Sequence, residues 1–240
     1  TIGILNETDD ENIFKNLHYE LIKKISNAIK RNKIKRYLHI SSLNAHPNAL
    51  SQYLVTKGLA ENYIRDNMNY YCNTTIFRPS IVFGEHDSFF NKFSTILKFS
   101  PIFPLACPNS KFMPIYVSEL TDFIIDSISD SSSYGKLFDV TGPKEYTFRE
   151  LINITLSALK IKRIIIPLNY GLSKLQANIF QRLPGQLFTL DNFLSLQVDS
   201  CSTEGLKGKL SIEDIVPGYL NITLKQKHFE NLRKKAGRSE

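Results

Sequence analysis

The chain has 240 residues, 42% of them hydrophobic, which suits one large domain or a domain with an appended lobe and excludes wholesale disorder. Lys and Arg number 30 against 23 Asp and Glu, a formal net charge of +7. No apolar run is long enough to span a bilayer, and the opening residues do not read as a secretory leader.

The chain opens on Thr1-Ile2-Gly3-Ile4-Leu5, a short apolar strand. Opening inside a strand is what a fragment with earlier strands upstream would show. From Asn12 to Asn32, Ile13, Leu17, Leu21, Ile25 and Ile29 recur every four residues and predict a helix. A strand over Tyr37–Ser41 follows, then a polar loop over Ser42–Leu50 and a helix over Ser51–Met68. Thr74–Phe77 predicts a strand that ends at Arg78-Pro79, and Ser88–Phe99 a helix stopped by Pro101 and Pro104. Further along come a strand over Lys111–Val117, a helix over Ser118–Ser129 and a strand over Lys136–Val140. Thr147-Phe148-Arg149-Glu150 is a capping box, in which hydroxyl and carboxylate satisfy opposing backbone donors, and it opens a helix to Leu159. Arg163–Pro167 predicts a strand, Tyr170–Leu183 a helix, and Thr189–Gln197 a short helix capped by Thr189.

Strands alternating with helices predict an α/β fold with a Rossmann-like, doubly wound parallel sheet and a small C-terminal α/β lobe. The divisions expected are residues 1–100 for the nucleotide-binding part, 101–200 for completion of the sheet and the lobe, and 201–240 for a polar, basic tail. In such sheets ligands sit beyond the carboxyl ends of the strands, so the loops after Leu5, Ser41 and Phe77 should line one site.

Three Tyr/Lys pairs lie four residues apart, Tyr19/Lys23, Tyr53/Lys57 and Tyr170/Lys174, and spacing alone cannot choose among them. Context can. Only Tyr53/Lys57 follows a strand ending in hydroxyls, Ser41-Ser42, and precedes a strand ending in Arg78-Pro79-Ser80. A phenol has an ordinary pKa near ~10, too high for a base at neutral pH, and a neighbouring ammonium is expected to lower it. A serine hydroxyl can orient a substrate oxygen while the tyrosine exchanges a proton with it.

The runs His39-Ile40-Ser41-Ser42-Leu43-Asn44-Ala45 and Tyr53-Leu54-Val55-Thr56-Lys57-Gly58-Leu59-Ala60-Glu61 resemble an atypical short-chain dehydrogenase of the epimerase/dehydratase type. So does Phe77-Arg78-Pro79-Ser80-Ile81-Val82-Phe83-Gly84, continuing to Asp87, Phe90, Asn91 and Phe93. The likeness is greatest to the nucleotide-binding accessory subunit of respiratory complex I and its bacterial relatives. Ile2-Gly3-Ile4-Leu5, Phe103-Pro104-Leu105, Pro114-Ile115-Tyr116-Val117, Gly142-Pro143, Pro184, Thr189, Asp191 and Asn192 extend it over roughly residues 1–200. The resemblance implies a fold that binds NAD(P)(H). It implies Ser42, Tyr53 and Lys57 as the catalytic set, with Ser41 close behind Ser42. It places Gly3, Ser41, Tyr53, Lys57, Pro79, Ser80, Ile81 and Val82 against the cofactor.

Two departures from the pattern matter. None of the eleven glycines lies two residues from another, so the Gly-x-Gly turn that cradles a pyrophosphate is not in this chain. The family places that turn upstream of the opening strand, so this chain alone is expected to bind a dinucleotide poorly. Where extended dehydrogenases carry Asn, the matching position here is near His18. The resemblance to the complex I subunit implies an accessory or assembly protein with a structural or regulatory nucleotide. The alternative is an active NAD(P)-dependent oxidoreductase or epimerase acting on a carbonyl or sugar-like substrate. A third reading is a protein-binding module without nucleotide.

Other features have plainer readings. Cys72, Cys107 and Cys201 are far apart and read as buried free thiols of a reducing compartment. The five histidines form no metal motif; His18 and His39 read as core residues. Arg78 is expected to brace a loop, Asn91 to pack its helix, and Phe89, Phe90, Phe93 and Phe99 to pack the lobe. Basic charge gathers over Lys23–Arg36 and over Lys225–Arg238. These are solvated faces, or contacts to a respiratory complex or an anionic membrane surface; no nucleic-acid motif accompanies them. The placement that follows is cytoplasmic, peripheral on the inner membrane.

Overall fold

The computed structural model describes residue 4 and residues 13–183 and 186–220. Apart from Ile4, the expected opening strand lies outside the described residues, as do Gly3 and the basic stretch over Lys225–Arg238.

The first described element runs as a π-helical segment Lys15–Glu20 into helix α1, Leu21–Arg31. Strand β1 (Arg36–Ile40) and helix α2 (Gln52–Asn67) follow, and then β2 (Asn73–Pro79), β3 (Val82–Phe83) and α3 (Phe90–Phe99). Next come β4 (Ile102–Leu105), β5 (Lys111–Phe112), β6 (Ile115–Tyr116) and α4 (Val117–Ser129). The remainder is β7 (Leu137–Thr141), β8 (Tyr146–Thr147), α5 (Phe148–Leu159), β9 (Ile164–Pro167), α6 (Tyr170–Phe180), α7 (Leu190–Ser195) and β10 (Leu206–Lys207). A helical run over 212–220 closes the described chain.

The main sheet has the order β1-β2-β7-β10, and every pair in it is parallel. β2 is buried from Thr74 to Phe77, as a parallel strand covered on both faces must be. Its alternation sends Ile76 to one face and Phe77 to the other. Ile76 packs with Ile22 and Ile29 of α1 and with Ile64 and Met68 from the end of α2. Phe77 packs with Leu120 of α4, Ile115 and Val140. One strand thus anchors both helical layers, which is the doubly wound arrangement. The C-terminal lobe has its own core around Phe83, Phe90, Phe112, Phe148 and Leu151. Two ribbons flank it, β4–β9 parallel and β5–β8 antiparallel.

Several expectations are corrected. Burial on the first helix falls on Phe14, His18, Ile22, Ser26 and Ile29, mostly one position on from the expected spine. Leu17, Leu21 and Ile25 are half-buried and line a hollow of ≈280 Å³ against β1. The stripe is already offset at Phe14, before the π-helical segment, and keeps its spacing of four through Ser26. The expected strand Lys111–Val117 is broken at Met113-Pro114. Proline has no N–H to continue a ladder, so β5 pairs with β8 while β6 pairs with β3. Gly142 closes this corner: a Cβ there would meet the Pro114 carbonyl oxygen at 1.8 Å. Phe99, expected in the lobe core, is 85% exposed at the end of α3, off the face carrying Phe90, Ser94 and Leu97. Cys72 is buried, but Cys107 and Cys201 are only partly so; all three are free. Residues 206–220, placed in the tail, are folded: β10 joins the sheet, and Ile212, Val216 and Tyr219 enter the lobe core. The capping box at Thr147 forms as expected, and Thr189 caps its helix as expected, with Asn192 completing a capping box there.

Candidate functional site

The site is built where β1 and β2 end. The pairing continues past β1, with Ser41 N donating to Phe77 O at 2.7 Å and Leu43 N to Pro79 O at 3.0 Å. The chain then loops to Ser51, whose Oγ accepts from Leu54 N at 3.3 Å and starts α2. A second cap comes from α7: the Asp191 carboxylate accepts from Gln52 N at 2.5 Å and from Tyr53 N at 3.2 Å. A carboxylate at a helix N-terminus complements the orphan N–H groups and the dipole there. It also ties the lobe to the first turn of α2, where Tyr53 sits.

Gly58 lets the loop lie directly on α2, since a Cβ there would stand 2.5 Å from the His46 carbonyl carbon. Arg78 fixes the same loop from β2. Its Nε donates to Glu61 Oε1 at 2.8 Å, its Nη2 donates to Glu61 Oε2, and Nη2 also donates to Ala45 O at 3.1 Å. The Glu61 side chain is 1% exposed, so this forked pair is buried on the carboxylate side.

A cleft of ≈540 Å³ opens above the strand ends. It brings together Ser41, Ser42, Tyr53, Lys57, Pro79, Ser80, Ile81 and Val82, and Ile4 lines it too. Of the residues expected at the site only Gly3 is missing from this set, being outside the described residues. The other two Tyr/Lys pairs line neither this cleft nor the hollow beneath it. Another hollow, of ≈350 Å³ beside Cys107 and Tyr170, shares no residue with the cleft.

The electrostatics differ from the expected Tyr–Lys pairing. Burial pushes the Tyr53 phenol up, a hydrogen bond with Ser42 partly offsets this, and the Asp191 charge raises it further. Burial pulls Lys57 down to about 8, opposed by the charge of Glu61. The Lys57 ammonium donates to Ile40 O at 3.2 Å, at the end of β1. The charge bearing on the phenol is therefore Asp191, whose sign disfavours the phenolate. Ser41, the second choice after Ser42, is buried, and its Oγ has no hydrogen-bond partner among the described residues.

His18 is a buried neutral imidazole. Burial, then the Lys57 charge, lowers its pKa to about 4. Its Nδ1 lies 3.1 Å from Thr56 Oγ1, and its ring stands edge-on to Tyr53 with centroids 5.5 Å apart. His39 is likewise held neutral, at about 3, mainly by burial. Both fit the core reading, and Arg78 takes the bracing position expected of it. Asn91 does more than pack: its Nδ2 donates to Glu85 O and Asp87 O, each at 3.0 Å, and fixes the loop before α3.

Sequence reasoning missed three contributors. Asp191 was carried only by family likeness, although its place one residue past the start of a capped helix hinted at an N-terminal role. Ser200 holds Ser80, whose Oγ donates to Ser200 O at 2.7 Å; no sequence signal links residues so far apart. The wall formed by Val117, Leu120, Thr121 and Ile124 of α4 follows only from the packing of that helix.

Residues 8–119 match the NAD-binding family described as Male sterility protein. A Dictyostelium discoideum protein named NADH dehydrogenase (ubiquinone) 1 alpha subcomplex subunit 9, mitochondrial, is 25% identical over 193 residues, 79% of this chain and 51% of its own length. The mouse protein of that name is 31% identical over 146 residues, 60% of this chain and 37% of its own length. The match thus spans about half or less of these curated relatives. Among solved structures, a UDP-glucose 4-epimerase from Thermotoga maritima with UDP-glucose superposes with a TM-score of 0.63 at 12% identity, covering 88% of this chain and 71% of that one. That likeness is one of fold. The chain shares the fold of the UDP-glucose 4-epimerase and is similar in sequence to the mitochondrial NADH dehydrogenase (ubiquinone) subunits named above.

Proposed function

We propose that the protein bearing this chain holds a nicotinamide dinucleotide in the cleft as a structural or regulatory group and serves as an accessory or assembly protein of a respiratory NADH dehydrogenase complex. The observation that carries this reading is the arrangement at Tyr53: burial pushes the phenol up and Lys57 turns to Ile40 O instead of toward it, in a cleft otherwise well formed. The site suits holding better than proton abstraction at neutral pH.

The residues fit the nicotinamide end of such a cofactor. Ser41 offers a buried hydroxyl with no partner among the described residues, Lys57 an ammonium near the strand end, and Pro79–Val82 an apolar wall. Ser42 and Tyr53 face the same space. When bound, the nicotinamide supplies hydride chemistry; the chain's own part is to bind and orient it and to exclude water. The pyrophosphate cradle has no counterpart here, because the sequence contains no Gly-x-Gly turn. The relatives' printed names, those of mitochondrial NADH dehydrogenase subunits, support a respiratory-complex partner; a place peripheral to the inner membrane is part of this proposal.

The second reading is an active oxidoreductase or epimerase, favoured by Ser42, Tyr53 and Lys57 sharing one cleft. The variant Tyr53→Phe in the intact protein separates the two. The accessory reading expects unchanged nucleotide binding and unchanged association with the complex. Turnover of a carbonyl or sugar-like substrate in the parent protein, abolished by this variant, would replace it with the catalytic reading.

A further inference from the structure

Among the described residues, the C-terminal lobe carries an apolar face that no other element covers and that neither the cleft nor the nucleotide reading uses. In the β4–β9 ribbon, Ile102 pairs with Ile164, and Pro104 with Ile166. Alternation turns Phe103 and Ile165 into the lobe core and leaves the others outward, with Ile102 47%, Ile164 64% and Ile166 45% exposed. Helix α6 adds a stripe. It buries Ser173 and Ala177, while Leu172, Leu175 and Ile179 stand 49%, 54% and 50% exposed at spacings of three and four. Gln176 Nε2 donates to Pro104 O at 3.0 Å and ties this side of the helix to the ribbon. Exposed apolar area on this scale marks an interaction site.

The charge around it points to the partner. Residues 151–190 contain five basic residues, Lys160, Lys162, Arg163, Lys174 and Arg182, and no Asp or Glu. A protein partner of mixed charge would not demand a segment free of acids. An anionic lipid surface would: acyl chains accept the apolar stripe, and phosphate headgroups meet the exposed Lys162, two residues before Ile164, and Lys174 on α6, whereas Arg163 is held by Leu97 O and Lys98 O. No helix among the described residues is long and apolar enough to cross a membrane, so the contact is interfacial.

We propose that α6 and the outward face of the β4–β9 ribbon form a membrane-docking surface for an anionic bilayer, with the apolar side chains entering the headgroup–acyl boundary. The surface shares no residue with the nucleotide cleft.

The test is flotation of the protein with phosphatidylcholine vesicles with and without phosphatidylglycerol. Binding should require the anionic lipid, and a fraction should persist in high salt, where attachment through a basic tail alone is lost. The pair Leu175→Glu with Ile179→Glu should lower partitioning at least about tenfold. Charge reversal at Lys162 and Lys174 should lower it separately. Both sets are exposed, so circular dichroism and nucleotide titration should be unchanged; the nucleotide reading can therefore fail without this one, and the reverse. Equal flotation of parent and double-Glu proteins overturns the proposal. So does a parent that ignores vesicles and self-associates with concentration in light scattering, which would assign the face to a second copy.

Discussion

Replacing Lys57 with Met should make the protein more stable at neutral pH, and that gain should disappear as pH rises. Lys57 is 8% exposed and burial takes its pKa from 10.5 to about 8. That fall corresponds to about 3 kcal/mol by which the folded site disfavours the ammonium. The sign follows from proton linkage. Below about pH 8 both folded and unfolded chains carry the proton, and the cost is fully present. Between about pH 8 and 10.5 the unfolded chain binds more protons, so stability rises with pH; above that window the cost is gone. The variant also forfeits the bond to Ile40 O, worth ~1 kcal/mol. Lys57→Met should therefore be more stable by about 2 kcal/mol at neutral pH and lose that advantage across the window. Urea unfolding of both proteins, in steps from neutral pH to about pH 10, measures the difference and cancels groups common to both. A difference that stays constant with pH refutes the assignment of a desolvated ammonium at this position.

Other consequences follow from the same framework. Arg78→Met leaves the Glu61 carboxylate buried without its forked donor and should cost about 3–5 kcal/mol, whereas adding Glu61→Leu should recover most of it; thermal unfolding of the single and double variants reads the coupling. Gly58→Ala places a Cβ 2.5 Å from the His46 carbonyl carbon and should destabilise by roughly 1–3 kcal/mol through displacement of the loop, visible as faster proteolysis near His46. Ser41→Ala removes an unpartnered buried hydroxyl, so it should leave stability equal or up to about 1 kcal/mol higher while weakening dinucleotide binding, two readouts that a merely structural serine would not split.

The sheet and its helices were legible because their signals are local. The Thr147 capping box, the Thr189 cap and the strand over Thr74–Phe77 each declare themselves within a few residues. The cleft was legible for a different reason. Strand ends in a parallel sheet converge, so the Ser41-Ser42 and Pro79–Val82 loops had to face the helix carrying Tyr53 and Lys57. What escaped depends on long-range placement. The polarity of the Tyr–Lys pair was misjudged because Asp191 reaches Tyr53 across 138 positions and Lys57 turns to a carbonyl, neither visible in spacing. The buried stripe on the first helix lies one position on because its rotation is set by packing against β1 and α2, which the four-residue spacing does not show. Pro114 was visible, but its effect of splitting one strand between two partners required knowing where β3 and β8 lie.

The central claim is that the cleft around Ser41, Tyr53 and Lys57 receives a nicotinamide dinucleotide without using Tyr53 as a base. Fluorescence titration of the intact protein with NADH and with NADPH tests it most directly. A saturable signal is expected with at least one of them, weakened in Ser41→Ala and preserved in Tyr53→Phe. No saturable signal with either nucleotide would contradict it and leave the protein-binding reading in its place.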